Sequence, residues 1–171
     1  MNAISTRPPT TLRFTIVDSP IDPLLLTGDG EHLTGLYMSP HTGRHAVQPH
    51  WERDDAAFSP VADQLTDYFA GQRTTFDVPL APSGTDFQRS VWSGLCDIPY
   101  GETISYGELA RRVGVPNGSR AVGLANGRNP ISVIVPCHRV IGADGSLTGY
   151  GGGLPRKKFL LGLESRADRL W

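Results

Sequence analysis

Cys137 and His138 stand together in the run Pro136-Cys137-His138-Arg139-Val140, and a thiol beside an imidazole and a guanidinium is the residue set of an activated sulfur nucleophile. A thiol attacks as its thiolate, and a basic or cationic neighbour raises the thiolate fraction at neutral pH. Apolar runs flank the five residues, Ile131 to Val135 before and Val140-Ile141 after, so the sulfur is expected in a pocket wall. In a plain strand Cys137 and His138 would point to opposite faces. The chain must therefore turn here, and Pro136, with its fixed φ and missing N–H, suits the opening of a helical or 3₁₀ turn. In such a turn the two side chains can meet, directly or through one bridging water.

The chain that must position this pair has 171 residues and 39% apolar content, enough for one large domain or two small ones. No apolar stretch reaches the length of a membrane span, and the first twenty residues carry Pro8, Pro9 and Asp18 in place of a basic start and an apolar block. An intracellular, cytoplasmic protein is expected. Two cysteines, Cys96 and Cys137, make neither a disulfide framework nor paired Cys-x-x-Cys spacing. His41, His45 and His50 have no cysteine nearby and no helical period to align them, so no metal site is assigned to them. The net charge of −1 hides an asymmetry: residues 1–88 hold 5 Arg/Lys against 11 Asp/Glu, and residues 89–171 hold 11 against 6. A basic half beside an acidic half points to a polyanion that meets only the C-terminal part.

Leu12 to Val17, Leu24 to Thr27 and Leu33 to Met38 read as strands of an antiparallel meander, separated by proline- and glycine-containing turns. Ser39 to Asp55 has no clear period and reads as a loop. Phe58, Val61, Leu65, Tyr68 and Phe69 recur at helical spacing, with Gly71 as the stop. Asp77 to Gly84, with Pro79 and Pro82, reads as a linker between domains at 1–80 and 81–171. Beyond it Thr85 and Gln88 form a capping box, and Phe87, Val91, Leu95 and Ile98 mark a helical face beside which Cys96 is a core residue.

Ser105 and Glu108 predict a second capping box that opens a short helix. The turn Gly114-Val115-Pro116-Asn117-Gly118 breaks it, and Ser119 is expected to cap a further helix. Helix, tight turn and helix form a DNA-binding arrangement. The second helix, however, offers Arg120 and then mostly small residues, including Ala121, Gly123 and Ala125, whereas sequence-reading helices present several long polar side chains to base edges. It can lie close to a backbone and read few bases. Arg120 stands in the first turn, where the helix dipole disfavours a cation, which hints at a use outside the fold.

Pro136 to Val140, preceded by Asn126-Gly127-Arg128-Asn129-Pro130 and followed by Gly149-Tyr150-Gly151-Gly152-Gly153, closely resembles the O6-alkylguanine-DNA alkyltransferases. The resemblance covers residues 84–165 and includes Ile98-Pro99-Tyr100-Gly101-Glu102-Thr103, Ser105-Tyr106 and Arg120-Ala121-Val122-Gly123. The N-terminal half is similar only in length and coarse pattern. The family implies an α+β chain, with an N-terminal ribonuclease-H-like domain on a small antiparallel sheet. Its C-terminal domain is mostly helical and winged-helix-like, and contains the helix-turn-helix.

The resemblance implies direct repair of double-stranded DNA bearing O6-alkylguanine, with O4-alkylthymine as a further candidate substrate. The alkyl group would move in one step to Cys137, consuming the protein, and the nucleotide would first be flipped out of the duplex. By carry-over, His138 acts through a water as the base and Glu164 fixes its tautomer. Asn129 braces the turn, and Tyr106 donates to the departing guanine. Arg120 fills the space left in the stack, with Ser105, Ala121 and Gly123 at the DNA, while Val140, Tyr150 and Gly151 line the pocket. No cofactor, metal or membrane is implied, and the protein is expected to be a monomer free in solution, with cooperative assembly on DNA left open. Two departures stand out: Gly151 replaces a hydroxyl residue of some members, and the acidic half lacks the zinc-binding cysteines of certain relatives. The competing class is a non-catalytic protein that recognises alkylated bases and recruits another pathway. Relatives of that kind carry tryptophan where this chain has Cys137. A cysteine hydrolase would leave the helix-turn-helix unexplained.

Overall fold

The computed structural model describes residue 4 and residues 12–168, so both ends of the chain lie outside the described residues. The chain divides into two compact units, Met1–Ser83 with Pro130–Ser132, and Gly84–Asn129 with Val133–Trp171.

The first unit is built on strands β1 (Arg13–Val17), β2 (Leu24–Gly28), β3 (Leu33–Met38) and β4 (Glu52–Arg53), in the order β3-β2-β1-β4. The meander expected from the sequence is present. β1 pairs antiparallel with β2, placing Ile16 opposite Leu25, and β2 pairs antiparallel with β3, placing Leu24 opposite Met38. Leu24, Leu25 and Leu26 are fully buried, as befits a strand covered on both faces. Helix α1 (Ser59–Phe69) has a proline in its first turn and turns Val61, Leu65 and Tyr68 inward. Gly71, at φ 75, ends it in the left-handed region that glycine adopts without a Cβ clash.

Two expectations about this unit need correction. Ser39 to Asp55 is not wholly loop, because it contains the 3₁₀ turn Gly43–His45 and β4, which runs parallel to β1. Two exposed charged residues on a sheet edge leave no apolar period to detect, and β4 is held by backbone and charge: the Asp54 amide donates to the Phe14 carbonyl at 3.0 Å, and Arg13 pairs with Asp54 at 2.5 Å. Nor is Asp77 to Gly84 a free linker. Phe76, Val78 and Leu80 alternate into the core, and Leu33 donates to the Pro79 carbonyl at 2.8 Å while the Ala81 amide donates back to Leu33 at 2.9 Å. Pro79 lacks an N–H but keeps its carbonyl, so a segment that reads as broken still pairs on one side.

The second unit is mostly helical: α2 (Asp86–Cys96), α3 (Tyr106–Arg112), α4 (Ser119–Gly127) and α5 (Leu154–Asp168) surround a two-stranded parallel ladder of β5 (Ile104–Ser105) and β6 (Val140–Ile141). Thr85 and Gln88 cap α2 with both halves of the box made. The buried face of α2 is Val91, Trp92 and Leu95, with Phe87 left 37% exposed, and the Trp92 indole donates to the Ala125 carbonyl of α4 at 2.8 Å. The box at α3 is only half made. Ser105 accepts from the Glu108 amide at 3.1 Å, but the Glu108 carboxylate turns to Arg111 and Arg112 because the ion pairs are within reach on the same helix face. For α4 the N-cap is Gly118, and Ser119 is the first helical residue. Helix, turn and helix are in place from α3 to α4. No helix among the described residues is long and apolar enough to cross a membrane.

Candidate active site

The chain turns at the cysteine as its residue types require. Cys137–Arg139 form one 3₁₀ turn, with Pro136 as its N-cap, so the turn starts one residue later than the proline suggested. The Cys137 amide donates to the Val135 carbonyl at 2.8 Å and the Arg139 amide to the Pro136 carbonyl at 3.0 Å. Val140 then enters β6, opposite Ile104 of β5, which anchors the far side of the turn. On the near side, buried Val133 holds φ 71, a left-handed conformation that costs a β-branched residue about 1–3 kcal/mol and persists only where surrounding packing imposes it.

This turn buries all its side chains. Cys137 is 6% exposed, His138 0% and Arg139 7%. Glu164 reaches in from α5, 1% exposed, and holds both cationic neighbours: its Oε2 accepts from His138 Nε2 at 2.8 Å and from Arg139 Nη2 at 3.0 Å, while Oε1 accepts from Arg139 Nε at 2.8 Å. Arg139 also donates to the Ile98 carbonyl at 2.7 Å, and its guanidinium lies 5.7 Å from the Tyr100 ring centre. Because Nε2 carries the proton given to Glu164, the other ring nitrogen, Nδ1, is the acceptor, and it has no protein partner among the described residues.

Burial dominates the acid–base behaviour of the pair. It pushes the Cys137 thiol up, against hydrogen bonds from Asn129 and Tyr150 and the charge of Lys157. The same desolvation lowers His138, outweighing the hydrogen bond and charge of Glu164, with Arg139 and Lys157 adding to the depression. Both shifts favour a neutral thiol beside a neutral imidazole at rest, so the sulfur needs a base before it can attack. Glu164 resists burial through the hydrogen bonds of His138 and Arg139 and stays ionised, held at about 2.

Lys157 is the residue that sequence reading missed. It is fully buried on α5, and its ammonium donates to the Val140 carbonyl at 2.7 Å and to the Thr148 carbonyl at 3.0 Å. Those bonds tie β6 to the loop that leads to Tyr150. Desolvation lowers Lys157, while the charge of an ionised Cys137 raises it. With Lys157 and Arg139 positive and Glu164 negative, the buried cluster carries one excess positive charge at rest. A signal for it existed: Lys157, Leu160 and Glu164 share the i, i+3, i+7 spacing of one helix face.

Asn129 sits beside the sulfur, its Nδ2 donating to the Val135 carbonyl at 2.8 Å. Val140 is buried and spends one carbonyl lone pair on Lys157. Tyr106 opens α3, and its hydroxyl accepts from Thr148 Oγ1 at 3.4 Å, while a Cβ on Gly123 would stand 3.7 Å from its ring. Gly151 is exposed, and a Cβ there would meet nothing nearer than the Gly127 carbonyl at 4.0 Å. Ser105 is committed to capping α3, and Arg120 and Ala121 lie exposed on α4. Cys96, the other thiol, is pushed to about 11 by burial and by Asp97.

Two family profiles span most of the chain. The one described as the 6-O-methylguanine DNA methyltransferase ribonuclease-like domain matches residues 12–82, and the one described as the DNA binding domain of the same enzyme matches residues 86–166. The methylated-DNA–protein-cysteine methyltransferase of Mycobacterium tuberculosis is 58% identical over 91% of this chain and 94% of its own. That of Methanosarcina acetivorans is 54% identical over 88% of this chain and 97% of its own. Among solved structures, the M. tuberculosis O6-methylguanine methyltransferase superposes with a TM-score of 0.86 at 56% identity, covering 92% of this chain and 94% of that one. The same organism's enzyme in complex with DNA superposes at 0.84 and 57%, with the same coverage.

Proposed function

Since the chain belongs to the 6-O-methylguanine DNA methyltransferase family, we propose that it repairs alkylated DNA by direct reversal, with Cys137 as the acceptor of the alkyl group from O6-alkylguanine. The observation that carries this reading is the buried Cys137-His138-Glu164 arrangement, in which Glu164 fixes the His138 proton on Nε2 and leaves Nδ1 as the base.

In the reaction His138 takes the thiol proton, through a water where the two groups do not touch. The thiolate forms an S–C bond to the alkyl carbon as the C–O6 bond breaks, and the electron pair of that bond returns to the guanine. The guanine gains a proton from Tyr106, and the thiol proton held by His138 closes the balance. Moving the proton from Cys137 to His138 leaves the net charge of the cluster unchanged but puts negative charge on the sulfur, where the charge of Lys157 favours it. A thioether carbon is not readily displaced again, and one turnover consumes the chain.

On the DNA side, Arg120 occupies the stack left by the flipped nucleotide, with Ser105, Ala121 and Gly123 against the minor groove. Val140, Tyr150 and Gly151 surround the base. All these residues come from one chain, so a monomer suffices, and a cytoplasmic location belongs to the same reading. Mass measurement of the intact protein before and after incubation with O6-methylguanine DNA tests the reading. A gain of one methyl group, mapped to the Cys137 peptide, is expected. Binding without any mass change would convert the assignment to base recognition alone.

A further inference from the structure

Helix α4 turns Val122, Ala125 and Asn126 into the second unit. At about 100° per residue its opposite face carries Arg120, Gly123, Leu124 and Gly127, followed by Arg128 at the C-terminal cap. Most of this face is low: a Cβ on Gly127 would meet nothing within 4 Å, and one on Gly123 only the Tyr106 ring. Leu124 projects from it at 65% exposed, whereas the other large exposed hydrophobics lie between 36% and 39%. Single surface leucines are common, but this one stands four residues from an arginine on either side. Those arginines are free. Among the described residues neither Arg120 nor Arg128 has an ion pair, whereas Arg111 and Arg112 of α3 are engaged by Glu108.

We infer that Leu124 is a DNA-contacting residue that lies against the deoxyribose wall of the minor groove, with Arg128 on an adjacent phosphate. The inference rests on the reading that α4 meets DNA. A cationic, apolar, cationic ridge about 12 Å long matches a surface whose rims are phosphate and whose walls are sugar carbons. The minor groove is only about 6 Å wide, too narrow for a whole helix, so contact falls to whatever projects from a face of small residues. An apolar contact at the sugar also discriminates. The minor groove of A-form duplexes displays ribose 2′-hydroxyls, which a leucine side chain covers without bonding.

The test measures affinity of the full chain for a lesion-free 20-base-pair DNA duplex and for the matching RNA–DNA hybrid across a salt series. Leu124→Asn should weaken DNA binding about 5–20-fold with an unchanged slope of log K against log salt, and should narrow the preference for DNA over the hybrid. Leu124→Met should keep wild-type affinity. Arg128→Ala should reduce the slope by about 1, the signature of one lost phosphate contact. Thermal midpoints of all three variants establish that they fold. Affinity of Leu124→Asn within twofold of wild type at every salt concentration overturns the inference. So does a loss that comes with a reduced slope, or an equal loss in Leu124→Met. Wild-type methyl uptake from O6-methylguanine DNA is scored separately by mass: its failure would sink the alkyl-transfer reading while leaving the binding comparison to judge Leu124.

Discussion

The two units place their charged residues in opposite ways. In the first, Arg13–Asp54, Arg53–Asp55 and His32–Asp29 sit at or near the surface, and the buried polar side chains are the threonines Thr15, Thr27 and Thr34. In the second, His138, Arg139, Lys157 and Glu164 are all buried around one thiol. A buried ion pair is a poor way to gain stability, because desolvation offsets its attraction. The difference therefore separates scaffold from chemistry: the first unit folds on an apolar core, and the second accepts desolvated charge where a reaction needs a fixed field.

The largest test of that contrast lies between the two thiols. Cys137→Ala should abolish transfer completely while Cys96→Ala retains it, as read by mass after exposure to damaged DNA, and uptake should saturate at one alkyl group per chain. Methyl mapped to Cys96 would break the assignment. Next comes the carboxylate that holds the cluster. Glu164→Gln should slow transfer about 10²–10⁴-fold by releasing the tautomer of His138. It should also cost about 3–5 kcal/mol by stranding Arg139, whereas Asp54→Asn in the first unit should cost about 0–1 kcal/mol. The pH dependence follows with a definite sign. Folding lowers Glu164 from 4.5 to about 2, so its stabilisation is full above pH 4.5 and is lost as pH falls toward 2. Urea midpoints of wild type should decline across that window, with a visibly smaller decline in Glu164→Gln.

Smaller effects sharpen the same comparison inside the second unit, where exposed and buried cations do different work. Arg120→Ala should slow repair of a duplex lesion about 10–100-fold and reaction with free base far less, since only the duplex requires flipping. Equal losses on both substrates would put Arg120 in the pocket. Lys157→Met should remove Coulombic support for the thiolate, moving the pH–rate curve alkaline by about one unit and slowing transfer about tenfold at neutral pH. A uniform loss with an unmoved curve would make Lys157 a clasp for the loop alone. Smallest of all, Gly151→Val should penalise O6-benzyl substrates over O6-methyl by a few-fold in a competition assay, because the space around Gly151 is open toward solvent and the added bulk narrows the pocket without unfolding it.

Local chemistry was legible without the fold. The Cys137-His138 pair, the obligatory turn after Pro136, the Thr85–Gln88 box and the meander of β1 to β3 all follow from neighbours a few residues apart, where dihedral limits and period decide the outcome. β4 and the pairing of Pro79 and Ala81 with Leu33 were not legible, since two-residue edges and proline-containing segments carry no period and depend on a partner far along the chain. The ionisation of the site also belonged to tertiary structure. Arg139, two residues from Cys137 in sequence, reads as a cation that raises the thiolate fraction, but in the fold Arg139 is turned to Glu164, and burial raises the thiol. Sequence determined which groups could react. How far water is excluded, and which of Lys157, Arg139 and Glu164 face the sulfur or each other, was decided only when α5 packed against the turn, because electrostatic energies depend on distance and dielectric, and both are properties of the folded chain.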